Sequence, residues 1–163
     1  MVRKWVINAS PLIVLAKISQ ISLLPRMCSE MVIPTGVVQE INLGLGDDPA
    51  KMWLNNQGSS WIRAVEPIEP KVASWDLGLG ESHVLSWAYQ NPGYEAILDD
   101  RAAKNAALSL SIPVRGTLGV ILLAKQQSKL PQIKPVLNQL VQVGFRVSPE
   151  VLSAVLQLAN ECD

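Results

Sequence analysis

The stretch Val6-Ile7-Asn8-Ala9-Ser10-Pro11-Leu12 marks the end of a strand and the beginning of a helix. Trp5, Val6 and Ile7 are strand formers, and a second apolar run follows from Pro11 onward. Two small polar residues, Asn8 and Ser10, lie between these two segments. Two roles are open for them: they cap the helix, or they face the crevice that forms above the strand ends of a parallel α/β sheet.

The composition predicts a folded and rather apolar chain. Of its 163 residues, 48% are hydrophobic and 17% are charged, which excludes a disordered protein. The length predicts one domain over residues 1–163. Because 14 basic and 14 acidic residues balance, a nucleic acid would have to be held by a local patch and by metal, not by overall positive charge. Cys28 and Cys162 have no metal-ligand spacing, so we expect reduced thiols in a cytoplasmic protein without a membrane span.

Short apolar strands alternate with helices along the chain. Alternation of this kind is typical of βαβ units, and it predicts an α/β fold, a three-layer α/β/α sandwich with a mostly parallel central sheet and extra C-terminal helices. Asp47 or Asp48 is expected to cap the helix that begins at Pro49. The predicted strands cover residues 5–7, 31–33, 61–65, 95–98, 112–114 and 145–147, and the predicted helices cover 11–18, 21–27, 35–41, 49–56, 78–91, 102–110, 118–125, 131–143 and 149–158.

Several carboxylates occupy positions comparable to that of Asn8. Asp99 and Asp100 follow a buried strand and precede a helix, Glu81 stands in the first turn of a helix, and Glu40 lies beside the apolar face of another. Each has a purely structural explanation, as a helix cap, a partner of a helix dipole or a solvated side chain. Together they favour a site, because carboxylates that converge above a sheet repel one another unless a cation binds them. Oxygen ligands without histidine or cysteine favour Mg²⁺ or Mn²⁺.

At this point the sequence resembles a known family, the PIN-domain superfamily. Within it, the chain is most similar to a prokaryotic PIN-like group of uncharacterised proteins related to VapC-type toxin ribonucleases. The resemblance covers Val2 to about Leu158, and its order and spacing are more specific than any one motif. The segments that carry it are Val6-Ile7-Asn8-Ala9-Ser10-Pro11-Leu12-Ile13, Gly80-Glu81-Ser82, Ile97-Leu98-Asp99-Asp100-Arg101-Ala102-Ala103, Gly116-Thr117-Leu118-Gly119-Val120 and Val143-Gly144-Phe145-Arg146-Val147-Ser148.

The resemblance implies a metal-dependent ribonuclease fold. In PIN domains an acidic residue ends the first strand and a hydroxyl follows two positions later; here these positions hold Asn8 and Ser10. The other acidic positions match Glu40, Glu81 and Asp100, with Asp99 as the alternative to Asp100, and Thr117 is an accessory polar group. Asn8 is a departure from the family pattern, since an amide keeps an oxygen ligand but lacks the charge that strengthens metal binding.

The leading hypothesis is therefore hydrolysis of phosphodiester bonds in single-stranded or looped RNA. Glu40, Glu81 and Asp100 would hold one or two Mg²⁺ or Mn²⁺ ions, assisted by Asn8 and Asp99. Flanking phosphates would contact cations that lie close to this site in the sequence, which are Arg101, Lys104 and Arg115. The resemblance further implies a homodimer and allows a small antitoxin-like protein as partner.

Two alternatives remain open at this point. A PIN-like protein with a weakened metal site would be a nucleic-acid-binding or regulatory module, and the apolar helices over 118–124 and 151–158 would suit an interaction protein. His83 is expected on a surface or against a neighbouring helix, because it lies two residues beyond Glu81 and so points to another face. Trp5, Trp61 and Trp87 are expected in the core, which leaves Trp53 and Trp75 as candidates for base stacking.

Overall fold

The computed structural model of the protein describes residues 2–44, 48–65 and 67–161. Its centre is a five-stranded sheet in the order β3-β2-β1-β4-β5, and every pair of neighbouring strands is parallel. The strands are β1 (Lys4–Ile7), β2 (Glu30–Pro34), β3 (Ile62–Arg63), β4 (Tyr94–Ile97) and β5 (Val114–Arg115). The predicted mostly parallel sheet is confirmed.

Helices cover the sheet, and the predicted α/β/α sandwich is confirmed. The central strand is apolar because it is buried between helical layers; Trp5, Val6 and Ile7 of β1 are fully buried. The helices are α1 (Ala9–Lys17), α2 (Leu23–Met27), α3 (Thr35–Asn42), α4 (Pro49–Asn56), α5 (Pro70–Ala73), α6 (Leu79–Gln90), α7 (Arg101–Ser109), α8 (Thr117–Gln126), α9 (Lys134–Gln142) and α10 (Pro149–Leu158). None of the helices within the described ranges is long and apolar enough to cross a membrane.

The order of the strands creates a topological switch point beside the central strand, β1. β1 pairs with β2 on one side and with β4 on the other, so the crossover connections diverge between β1 and β4. The backbone amide of Asn8 donates to the carbonyl of Ile97 at 2.9 Å, which extends this pairing by one residue at the carboxyl end. Ligands of open parallel sheets bind in the crevice at such a point.

Local predictions have mixed outcomes in the structure. Trp61 ends a 3₁₀ turn, Gly58–Trp61, so β3 is shorter than the predicted strand 61–65. Pro67 and Pro70 are typical of a linker, but the short helix α5 begins at Pro70. Asp48 caps α4 by accepting from the amide of Ala50 at 2.8 Å, whereas the alternative cap Asp47 lies outside the described residues. The predicted strand over 145–147 is wrong, since these residues pair with no strand.

Residues 145–147 lie outside the sheet because the chain turns at Gly144. Gly144 has φ of +95°, and its amide donates to the carbonyl of Val141 at 3.1 Å. The amide of Phe145 donates to the carbonyl of Leu140 at 3.0 Å. This pair of bonds is the Schellman arrangement that ends a helix at a left-handed glycine. The alternation Phe145-Arg146-Val147 resembles a strand in the sequence, but it forms an extended connection between α9 and α10.

Candidate functional site

A cleft of about 1150 Å³ lies where β1 and β4 end. Asn8, which follows β1, lines it together with Asp99 and Asp100, which come two and three residues after the end of β4. Helices α3 and α6 add one carboxylate each. The structure therefore brings most of the predicted site residues to one place, as the switch point of the sheet predicts. The predicted residues that line the cleft are Asn8, Ser10, Glu40, Glu81, Asp99, Asp100, Arg101 and Lys104.

The side chain of Asn8 is buried in the floor of this cleft. Asn8 is 4% exposed, and it makes no side-chain hydrogen bond to the first turn of α1. Its Oδ1 is buried without any hydrogen-bond partner. Ser10 does not cap the helix either, because it is the second residue of α1 and is exposed. The helix-capping role considered for the two residues is therefore wrong, and the unpartnered oxygen of Asn8 needs another explanation.

Glu40 is held in place by the backbone of a neighbouring helix. The amide of Gly80, near the beginning of α6, donates to Oε1 of Glu40 at 2.8 Å. Gly80 is also the residue that allows this approach, since a methyl group added there would lie 2.8 Å from Cδ and both carboxylate oxygens of Glu40. The first turn of a helix offers free amides and a positive dipole end, which both favour a carboxylate.

Glu81 lies between the other acidic side chains. A methyl group added at Gly78 would lie 3.2 Å from Oε2 of Glu81 and 3.7 Å from Oε1 of Glu40, so the two carboxylates approach the same point. Burial raises the pKa of the Glu81 carboxyl above its usual value, and the charges of Glu40 and Asp100 raise it further, against a lowering effect of a backbone hydrogen bond. Three carboxylates thus share one end of the cleft.

Asp99 and Asp100 have different environments. Both oxygens of Asp99 accept hydrogen bonds from Thr117, from its amide at 2.8 Å and from Oγ1 at 2.6 Å. Asp100 is exposed and caps α7, where its Oδ2 accepts from the amide of Ala103 at 2.9 Å. The charge of Asp100 acts on Glu81, so Asp100 belongs with the Glu40–Glu81 pair. Asp99 is instead tied to fully buried Thr117, which does not itself line the cleft.

Cationic side chains also line the cleft. Arg101 and Lys104 do so as predicted, and Lys104 Nζ and Asp99 Oδ1 lie 3.2 and 3.0 Å from a methyl group placed at Gly116. Arg115 does not line the cleft. Its Nε donates to Oε1 of Glu95 at 2.9 Å, because the two side chains lie on the same face of neighbouring strands β5 and β4. Arg115 thus pairs with Glu95 in this structure, and its contact with flanking phosphates stays a prediction.

Sequence reasoning missed two cations and one aromatic residue of the cleft. Lys17, at the end of α1, and Arg146 line it, and so does Phe145 in the connection between α9 and α10. Among the described residues, neither Lys17 nor Arg146 forms an ion pair. In the sequence, residues 143–148 resemble a family motif and residues 145–147 resemble a strand. Nothing in their composition indicates that they meet α1 across a cleft.

The aromatic and histidine predictions have mixed outcomes. Trp5 is fully buried, and Trp61 and Trp87 pack against the core as predicted. Trp53 is 9% exposed and stacks on Trp61 with ring centroids 5.5 Å apart, so it is unsuited to base stacking. Trp75 is 39% exposed but does not line the cleft. His83 packs against a neighbouring helix, as one of its two expected positions, and its Nδ1 accepts from the amide of Gly36 in α3 at 2.9 Å.

The donor set of the cleft fits a hard divalent cation. Its donors are carboxylate oxygens and the unpartnered amide oxygen of Asn8, and Mg²⁺ and Mn²⁺ prefer such ligands. Over the described parts of the chain, no three histidine, cysteine or acidic side chains form a compact metal-binding group. Oxygens of Glu40 and Asp99 are instead engaged with Gly80 and Thr117. A cation at Asn8 would satisfy its buried oxygen, which is otherwise costly to leave without a partner.

Comparison with known families agrees with the fold. The sequence model of a PIN-domain family matches residues 4–161, and the chain belongs to this family. No curated protein matches the chain in a sequence search. The PIN domain is a nuclease-like fold, and its members typically depend on a divalent metal ion.

Proposed function

We propose that this protein hydrolyses phosphodiester bonds of single-stranded or looped RNA with the help of Mg²⁺ or Mn²⁺. The observation that carries the proposal is the convergence of Asn8, Glu40, Glu81 and Asp100 at the switch point of a PIN-domain sheet. Glu40, Glu81 and Asp100 would hold the cation, with Asn8 and Asp99 as assisting ligands. A bound divalent ion lowers the pKa of water and offsets the charge of a phosphate.

The protein side chains have separate tasks in this proposal. Burial and the charges of Glu40 and Asp100 raise the pKa of Glu81, so a divalent cation bound between these carboxylates would relieve their repulsion. Lys104 and Arg101 would bind phosphate oxygens beside the acidic end, because both line the same cleft. Thr117 would keep Asp99 in one orientation through its two hydrogen bonds, so that this carboxylate stays fixed when a substrate arrives.

An RNA-cleavage assay tests the proposal directly. Labelled single-stranded RNA is incubated with the protein in Mn²⁺ and, separately, in excess chelator. We expect cleavage only with the metal, and we expect Glu81→Gln and Asp100→Asn to abolish it. Arg115→Gln is the matched control, since Arg115 lies outside the cleft and pairs with Glu95. Cleavage that persists in both acidic variants would refute the assignment of the residues.

One observation favours a second function, that of a PIN-like module that binds nucleic acid without cutting it. Asn8 is an amide where family members carry an acid, so the acidic end has one charge fewer. Cations still line the cleft and would still bind phosphates. RNA binding without cleavage by the natural protein, and cleavage by Asn8→Asp, would favour this function.

The resemblance to VapC-type toxins suggests protein partners as part of the same proposal. We propose that the protein forms a homodimer and that a small antitoxin-like protein binds it. α10 supports a contact surface, since Val155 is its buried residue while Val151 and Leu158 are 45% and 64% exposed. α8 does not, because its aliphatic residues are mostly buried. A monomer in light scattering at high concentration, unchanged by Leu158→Ser, would argue against the dimer.

A further inference from the structure

One wall of the cleft is formed by α1 and by the connection between α9 and α10. Its chemistry differs from that of the acidic end. α1 contributes Ile13 and Lys17, which lie four residues apart and so share one helix face. The α9–α10 connection contributes Phe145 and Arg146. Each contributing segment thus pairs an apolar side chain with a cation. We call Ile13, Lys17, Phe145 and Arg146 the mixed wall.

A nucleotide unit has the same two kinds of chemistry. Its phosphate is bound by cations, and its base offers a flat face that stacks on aromatic side chains. The cleft is open to solvent along its length and has charged and apolar residues on its walls, which suits an extended chain of nucleotide units. Phe145 is the aromatic residue among the described residues that line the cleft.

Phe145 is fixed in position before any ligand arrives. The turn at Gly144 and the hydrogen bond from the amide of Phe145 to the carbonyl of Leu140 anchor the segment at the end of α9. At its other end, Ser148 caps α10, where its Oγ accepts from the amide of Val151 at 3.2 Å. Phe145 itself is half-buried and packs against the core. A platform held at both ends loses little conformational freedom when a base stacks on it.

We infer that Phe145 is a specificity-determining residue that stacks on a base of a single-stranded substrate, while Arg146 and Lys17 bind the adjoining phosphates. This inference rests on the proposed function, because it names how the same cleft holds its nucleic-acid substrate. It predicts a preference for unpaired strands, since the face of a base is free for stacking only where the base can leave its neighbours.

A single fluorine label tests the contact without a mutation at the wall. The chain contains one phenylalanine, so 4-fluorophenylalanine introduces one fluorine resonance that belongs to position 145. The Glu81→Gln protein is used to prevent cleavage, in Mn²⁺, with a short single-stranded RNA. We expect this resonance to shift and saturate with the RNA, and to remain unmoved by an abasic strand of equal length. An RNA that binds by fluorescence anisotropy yet leaves the resonance unmoved would overturn the inference.

A thermodynamic cycle measures how much the stacking contact contributes to RNA affinity. Phe145→Leu keeps an apolar side chain against the core but lacks the aromatic face, and Phe145→Tyr keeps that face. Base–aromatic stacking of the usual strength predicts that Phe145→Leu weakens RNA binding by about 5- to 150-fold and that Phe145→Tyr restores it. Removing the stacked base, by one abasic position in the strand, should weaken binding to the wild-type protein by the same factor. Phe145→Leu should cause no further loss of affinity for that abasic strand. Trp75→Leu is the matched control, because Trp75 lies outside the cleft.

The outcomes separate the inference from the proposed function. Wild-type affinity in Phe145→Leu, or additive losses at every abasic position, would overturn the role of Phe145 while RNA binding stands. No RNA binding by any of the proteins would overturn the inference together with the proposed function. Urea unfolding of Phe145→Leu and Phe145→Tyr checks that both are folded under the binding conditions.

Discussion

Gly80→Ala is expected to disturb the acidic end of the cleft although it adds only one methyl group. That methyl would lie 2.8 Å from Cδ and both oxygens of Glu40, whereas ordinary contacts begin at about 3.4 Å. The Glu40 carboxylate must therefore move, and its 2.8 Å hydrogen bond from the amide of Gly80 is lost or lengthened. Gly80 lies within α6, so alanine also brings a gain in helix propensity.

The two effects act on the free energy of unfolding in opposite directions. A hydrogen bond to a charged group contributes about 1.5–3 kcal/mol, and alanine in place of glycine in a helix returns up to about 1 kcal/mol. We expect a net loss of about 1–2 kcal/mol in the free energy of unfolding. Because the Gly80 amide orients a proposed metal ligand, Mn²⁺ affinity should fall by about 10- to 100-fold, the usual effect of losing such a support.

Urea unfolding and Mn²⁺ calorimetry measure the two quantities. The matched control is Gly119→Ala in α8, where the added methyl meets the side chain of Arg115 instead of a proposed ligand. The Glu40→Ala background shows whether the effect passes through the carboxylate, since Gly80→Ala should there be neutral or stabilising. Equal Mn²⁺ affinity in the natural protein and in Gly80→Ala, or equal destabilisation in both backgrounds, would refute the reasoning.

Three further substitutions probe the same end of the cleft. Glu81→Gln should raise Tm at neutral pH in chelator, because an ionised glutamate whose pKa is raised on folding costs stability. The gain should shrink as pH falls through the raised pKa and vanish below the ordinary pKa of a glutamate, and a constant gain would contradict the cause given. Asn8→Asp should strengthen Mn²⁺ binding by at least about tenfold, since ligand charge tunes such sites, and should lower Tm in chelator because the added charge is buried; unchanged calorimetric affinity would place Asn8 away from the metal. Thr117→Val should cost about 1.5–3 kcal/mol in urea unfolding through loss of the 2.6 Å bond to Asp99, with Thr117→Ser as the milder control; equal losses in the two variants would implicate packing instead.

The sequence predicts the central features of the fold because local and long-range preferences agree there. The buried run through Ile7 and the helix after Asn8 are both apolar. The predicted acidic residues follow a strand, begin a helix or, as with Glu40, lie beside the apolar face of one. Parallel pairing brings such positions together wherever the exact boundaries fall. The grouping of the carboxylates around one cleft was therefore predictable, whereas the choice of Asp100 over Asp99 as a metal ligand stays a prediction.

Other features depend on three-dimensional contacts that periodicity does not contain. Arg115 is a neighbour of Gly116 in the sequence, but side chains alternate along a strand, and its face is the one that carries Glu95. Phe145 has strand-like neighbours, yet the turn at Gly144 directs the segment to the cleft. Lys17 joins them only because α1 and the α9–α10 connection meet in space.

Anomalous scattering from a crystal soaked in Mn²⁺ tests the central claim most directly. We predict one strong peak bounded by Oδ1 of Asn8 and carboxylate oxygens of Glu40, Glu81 and Asp100, and its loss in Asp100→Asn. A peak at Asp99 alone would contradict the assignment of the ligands. A soaked crystal with no peak in the cleft, and with Oδ1 of Asn8 still unpartnered, would contradict the metal site itself.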